Sequence, residues 1–150
     1  MAEIISKRTI PYPADKVFGI ARQVTRFPEV IPNLDKVTID EDLGGGRVVS
    51  SWEAEFSVGP LKKQVKWTER DHWDTEALAC TFELVEGDMK EYSGSWTFAE
   101  HGEGCDVVLT VQFVLGINML GPMIDKIVNQ LMQQNCDELL EGLEKLAAAE

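Results

Sequence analysis

Between Ile4 and Phe113 apolar residues recur mainly at every second position, in runs broken by Gly, Pro, Asn and Asp; after Pro122 they recur at helical spacing instead. Period two predicts half-buried strands, and a period near 3.6 predicts an amphipathic helix. Ile4 to Ile10 reads as a first strand, stopped by Pro11 and Pro13. Pro13-Ala14-Asp15 opens a helix, the proline suiting its first turn and the aspartate complementing its positive end. Val17, Phe18, Ala21 and Val24 form the apolar face of that helix, and Pro28 and Pro32 limit Arg26 to Asn33 to one further short helix.

Strands follow in series. Val37 and Ile39 mark the second, and Asp42 to Gly46 makes a flexible turn. Val48 to Val58 is the third, with Trp52, Ala54 and Phe56 on one face; Gly59-Pro60 then turns the chain. One face of the fourth carries Val65, Trp67, Glu69, Asp71 and Trp73. Leu78, Cys80, Phe82 and Leu84 line the fifth, and Gly87-Asp88 reads as a tight hairpin. Tyr92, Gly94, Trp96 and Phe98 line the sixth, and Val107, Leu109, Val111 and Phe113 the seventh. Hairpin linkage implies one antiparallel sheet with a wet face and a dry face.

The dry face needs a cover. After a loop at Gly116 to Gly121, the helix from Pro122 to about Ala148 supplies it through Ile124, Ile127, Val128, Leu131, Cys136, Leu139, Leu143 and Leu146. A curved sheet gripping one helix leaves a hollow between them. The inward faces are almost wholly apolar, which points to a container for a greasy small molecule. Access to such a hollow is expected near Gly44 to Gly46, Gly59-Pro60 and Phe27 to Pro32.

Composition narrows the partners. At 150 residues the chain reads as one domain, residues 1–150, with a 44% hydrophobic and 27% charged make-up ordinary for a globular protein. A net charge of -12 repels phosphate backbones and anionic lipid heads, so nucleic acid is excluded as a partner. Lys62, Lys63 and Lys66, the one basic cluster, read as a solvated strand edge. The 3 cysteines, Cys80, Cys105 and Cys136, are odd in number and widely spaced, as in reduced cytoplasmic proteins. No stretch has the length and apolarity of a membrane span, and the first ten residues lack a signal peptide's apolar core, so a cytoplasmic location without stable membrane insertion is expected.

Candidate chemistry is sparse. Glu69 shares parity with Trp67 and Trp73, so it either points into the hollow or emerges into water with Asp71 at the strand end. If buried without a partner it would hold its proton and donate a hydrogen bond to a ligand carbonyl. Asn135, between Leu131 and Leu139, must find a hydrogen bond in the pocket, on backbone or on a buried water. His72 has outward parity, His101 lies in a turn, and Cys80 reads as a small core residue. No clustered His/Cys/Asp pattern occurs, so neither a metal nor a cofactor is expected.

Four segments carry a family resemblance: Ile10-Pro11-Tyr12-Pro13-Ala14-Asp15-Lys16-Val17-Phe18, Phe27-Pro28-Glu29 with Ile31-Pro32, Glu86 to Phe98, and the long terminal helix. In this order the chain resembles the START-like (SRPBCC) superfamily, specifically its bacterial polyketide cyclase/dehydrase and coenzyme Q-binding-like branch. The resemblance implies an α+β helix-grip fold: a seven-stranded antiparallel curved sheet wrapped around the long C-terminal helix, with two short helices after the first strand. It implies binding or transport of a lipid, an isoprenoid quinone or a polyketide-like aromatic, lined here by Trp52, Phe56, Trp67, Glu69, Phe82, Tyr92, Trp96, Leu131 and Asn135. The alternative it implies is an aromatase/cyclase or dehydratase acting by substrate positioning, with Glu69 and Arg70 as catalytic candidates. Such enzymes orient substrate with a pocket arginine; Arg70 has the wrong parity for this unless a bulge turns it inward. Ribosome-binding relatives make a ribosome- or protein-interacting module a further alternative. The net charge of -12 opposes rRNA contact, and a protein partner stays open.

Overall fold

The computed structural model describes residues 2–58, 60–115 and 122–150. The chain runs β1 (Ala2–Ile10), α1 (Ala14–Ala21), a 3-10 helix (Val24–Glu29), β2 (Leu34–Gly44), β3 (Arg47–Val58), β4 (Leu61–Asp74), β5 (Ala79–Gly87), β6 (Met89–His101), β7 (Gly104–Leu115) and α2 (Pro122–Ala148). The strands form one 7-stranded sheet in the order β1-β7-β6-β5-β4-β3-β2, with every neighbouring pair antiparallel. The curved sheet wraps α2, which packs on β1, β7, α1 and the 3-10 helix. This is the expected helix-grip architecture, with the two short helices in their expected place. Among the described residues, no helix is long and apolar enough to cross a membrane.

Parity set the dry face as expected. Ile10, Val17, Phe27, Cys80, Val107, Leu109 and Val111 are fully buried from the sheet and the two short helices, and Leu140 and Leu143 from α2. All three cysteines are free and buried. The edge strand β2 carries three register shifts against β3. Such bulges bend an edge away from further strand pairing.

The structure revises three expectations and keeps a fourth. On α2 Cys136, Leu143 and Leu146 are buried as expected, and Met132, Leu140 and Ala147 join them. Leu131 lies about 100° round from Met132 and is only half buried. The hairpin at Gly87-Asp88 is not tight. Pairing of β5 with β6 ends at Glu83↔Ser93; beyond it, β5 stays on β4 as far as Gly87 and β6 stays on β7 as far as Met89. The turn at Gly44 to Gly46 closes on Trp73, whose N–H donates to the Gly46 carbonyl at 2.8 Å, at the end of β4 away from Trp67. Arg70 remains outside. A bulge does occur beside it, between Thr68 and Glu69, but the extra residue, Val85, is on β5. β4 therefore keeps its alternation, and the exposed Arg70 pairs with Glu83 at 3.1 Å. Gly59, the Gly116–Gly121 loop and the Ile124 side chain lie outside the described residues.

Candidate ligand-binding site

A chamber of about 90 Å3 lies between the sheet and α2. β3 contributes Trp52, Ala54 and Phe56, β4 Trp67 and Glu69, β5 Phe82, and β6 Met89, Tyr92 and Trp96. Met132, Asn135, Cys136 and Leu139 face it from α2, and Ile31 to Leu34 border it beyond the 3-10 helix. Eight of the nine residues expected to line a pocket therefore surround one space: Trp52, Phe56, Trp67, Glu69, Phe82, Tyr92, Trp96 and Asn135. Leu131 is off the lining, and Met132 and Cys136 take the place expected of it.

The wall is mostly aromatic. Trp52 and Trp67 are cross-strand partners, stacked at 5.8 Å and 8°. Trp67 leans on Tyr92 at 5.5 Å, and Tyr92 on Phe82 at 5.3 Å. On the other flank Trp96 stacks on Phe27 at 6.3 Å. Each of the paired indoles has its polar edge tied into the wall. Trp52 Nε1 donates to Ser50 Oγ at 2.9 Å, and Trp67 Nε1 donates to Glu69 Oε1 at 2.9 Å. What these rings present to the chamber is therefore apolar surface.

Behind the rings is a buried polar chain. Ser50 is fully enclosed, and Glu69 and Asp71 are 4% and 3% exposed. Ser50 Oγ donates to Asp71 Oδ2 at 2.6 Å, and Asp71 neighbours Glu69 on the same face of β4. The strand end does not emerge into water, because α1 and the 3-10 helix close over that part of the sheet through Phe18 and Phe27. Burial, then hydrogen bonding of the protonated carboxyl to Asp71, then the Asp71 charge push the Glu69 carboxyl well above the usual range; the Trp67 N–H opposes this. Glu69, on the chamber surface, is thus pushed toward its neutral, hydrogen-bond-donating form. Burial, followed by the charge of Glu69, likewise raises the Tyr92 phenol. Burial pushes the Cys136 thiol up to about 12, so it lines the chamber as an inert thiol.

The sign of the linkage is definite. An acid raised on folding favours the folded state fully below its unfolded pKa, and that contribution is lost as pH rises through the folded value. Glu69→Gln keeps the shape and needs no proton. Its unfolding free energy minus that of the wild-type chain is expected to grow above about pH 4.5, with a limiting slope of about 1.4 kcal/mol per pH unit, and the difference in Tm to grow with it. Parallel thermal melts from pH 5 to 9 check this, and a flat difference refutes a raised Glu69.

Arg70 is absent from this space. It lies on the outer face with Arg47 and His72, in a groove lined by Thr81, Ser93 and Ser95. His101 is exposed and bonds Asp106 at 2.7 Å. Ser50 was missed by sequence reasoning, although its parity with Trp52 and its place opposite Glu69 were readable signals. Met89 carried no signal, because it sat in what read as a hairpin tip. Among the described residues, no group of His, Cys, Asp and Glu is placed to hold a metal ion.

Such a geometry defines a helix-grip domain with an internal, aromatic-walled chamber. Residues 10–140 match the family described as polyketide cyclase / dehydrase and lipid transport, and the chain belongs to that family, within the START-like superfamily. The chain is 34% identical to the Thermus thermophilus protein TTHA0849, covering 99% of this chain and 98% of that one with a TM-score of 0.91. It shares the fold of the Zhui aromatase/cyclase from Streptomyces sp. R1128 (21% identity, 98% and 93% covered, TM-score 0.85). Among curated proteins it is similar to the ribosome association toxin RatA of Vibrio cholerae, 24% identical over 132 residues, 87% of this chain and 88% of that protein.

Proposed function

We propose that this protein binds a small, largely apolar molecule containing a ring, held in the chamber between the sheet and α2. The observation that carries this reading is the run of Trp52, Trp67, Tyr92 and Phe82 around unfilled space, with the indole N–H groups turned into the wall. Membership of a family described by cyclase/dehydrase and lipid-transport activities supports it. At about 90 Å3 the chamber is smaller than the ~150 Å3 apolar cavity that admits benzene. A single ring therefore enters only as the walls spread or with part of it in the mouth, and any longer body extends outward. Burying about 300 Å2 of ligand would yield roughly 7 kcal/mol gross, most of it offset by association costs, so micromolar affinity is expected.

Titration with 2-naphthol is expected to change the tryptophan fluorescence saturably, and Trp67→Leu to weaken binding about tenfold through the lost ring contacts. Native mass spectrometry of the purified chain is expected to show a co-purifying apolar adduct. A chain that carries nothing and does not respond to 2-naphthol refutes the reading.

One observation favours a second reading. Glu69 is buried at the chamber surface, which pushes its carboxyl toward the neutral acid, the form in which a carboxyl protonates a carbonyl oxygen during cyclisation or dehydration. Turnover of an aromatic poly-ketone, abolished by Glu69→Gln with binding retained, would establish it. Arg70 has no part in either reading, since it is on the far side of the sheet.

A further inference from the structure

The ionisable wall of the chamber is acidic only. Among the described lining residues there is no lysine, arginine or histidine, and the one carboxyl, Glu69, has a second buried carboxyl, Asp71, two residues on along the same face of β4. Both are more than nine-tenths buried. The groups that face this pair are neutral: Ser50 from β3 and Trp67 from β4, Cys80 from β5 and Tyr92 from β6, and Cys136 from α2, near Tyr92. Arg22, after α1, is exposed over the Phe18 ring at 5.8 Å and acts on Cys80. A buried charge is costly unless it is paired. Among the described residues neither buried carboxyl is in a salt bridge, and aromatic surface faces them.

Aromatic rings attract cations through their quadrupole, most strongly where water is excluded. A negative charge in one wall and tryptophan and tyrosine rings in the others are complementary parts of a site for one kind of head group. We propose that the chamber selects a small organic cation, an ammonium carried on a single ring or a short apolar body. Its charge lies against the Glu69–Asp71 pair and its apolar part among Trp52, Trp67, Phe82 and Tyr92. The proposal rests on the chamber being a ligand site, and it names the ligand class. The occupant supplies the missing counter-charge. Anions meet a like charge with no water to screen it. A volume of about 90 Å3 suits a compact head group better than a fused polycycle.

Three ligands that share one ring separate the alternatives: benzylammonium, benzyl alcohol and benzoate, titrated calorimetrically into the intact chain at pH 7.5 and low salt. Benzylammonium is expected to bind about tenfold more tightly than the alcohol, with benzoate unbound. Asp71→Asn, which removes the buried charge at constant shape, is expected to bring the ammonium-to-alcohol ratio to about one. The ammonium-to-alcohol ratio of the wild-type chain itself needs no variant to fold. Alcohol binding as tight as ammonium binding, or any binding of benzoate, overturns the proposal while leaving the ligand site standing. Failure of all three to bind removes both.

Discussion

A chain cut after Gln130 is expected not to fold. The removed part of α2 carries Met132, Leu140, Leu143 and Leu146, all buried, with Leu143 at 0% exposure. At about 1.5–3 kcal/mol for each large side chain, the loss is roughly 6–12 kcal/mol. That is comparable with the ~5–15 kcal/mol by which a typical domain is stable. The cut also removes two ties to β1: Ser6 Oγ donating to Asp137 Oδ1 at 2.5 Å and Arg8 paired with Glu144 at 3.0 Å. The dry face of the sheet would then stand in water. Loss of a cooperative thermal transition and strong dye binding to exposed apolar surface are the expected readings. A cooperative melt within a few degrees of the full chain would show that the sheet holds its shape without the helix, and that the chamber is not a product of their packing.

Replacing Gly94 by alanine is expected to lower stability by about 3 kcal/mol or more, a fall in Tm of roughly 6–12 °C at this chain length. A Cβ at Gly94 would sit 2.0 Å from the Thr110 carbonyl oxygen and 2.6 Å from Cζ of Phe82. The first contact is with backbone in the middle of the β6–β7 ladder, where nothing can swing aside. The second would push Phe82 off β6 and into the chamber that its ring lines. The variant should therefore lose ring-ligand binding even at temperatures where it remains folded. Wild-type stability with unchanged 2-naphthol affinity would mean that β6 and β7 are further apart than described.

The architecture was readable because period two persists through strands whose wet and dry faces differ sharply in composition, and because helical spacing replaces it only once over a long stretch. Trp52, Trp67 and Trp96 reached the chamber on parity alone. Leu131 did not, because apolar residues flank the buried stripe of α2 on both sides; a methionine, Met132, holds the position that spacing assigned to leucine. The burial of Glu69 and Asp71 was undecidable from β4 by itself. It depends on Ser50 from the neighbouring strand and on the cover that α1 and the 3-10 helix place over them. Arg70 shows the converse. Its parity was correct, and only a bulge on β4 would have reversed it, whereas the added residue went to β5 as Val85.

The two arms of the β5–β6 connection are each hydrogen-bonded to an outer neighbour and not to one another past Glu83↔Ser93. They join only through the turn at Gly87 to Met89. Met89 and Tyr92 line the interior from one arm, and Phe82 lines it where the pairing ends. Along this seam the wall is therefore held by side chains, such as the Tyr92 ring against Phe82 at 5.3 Å, and not by ladder bonds.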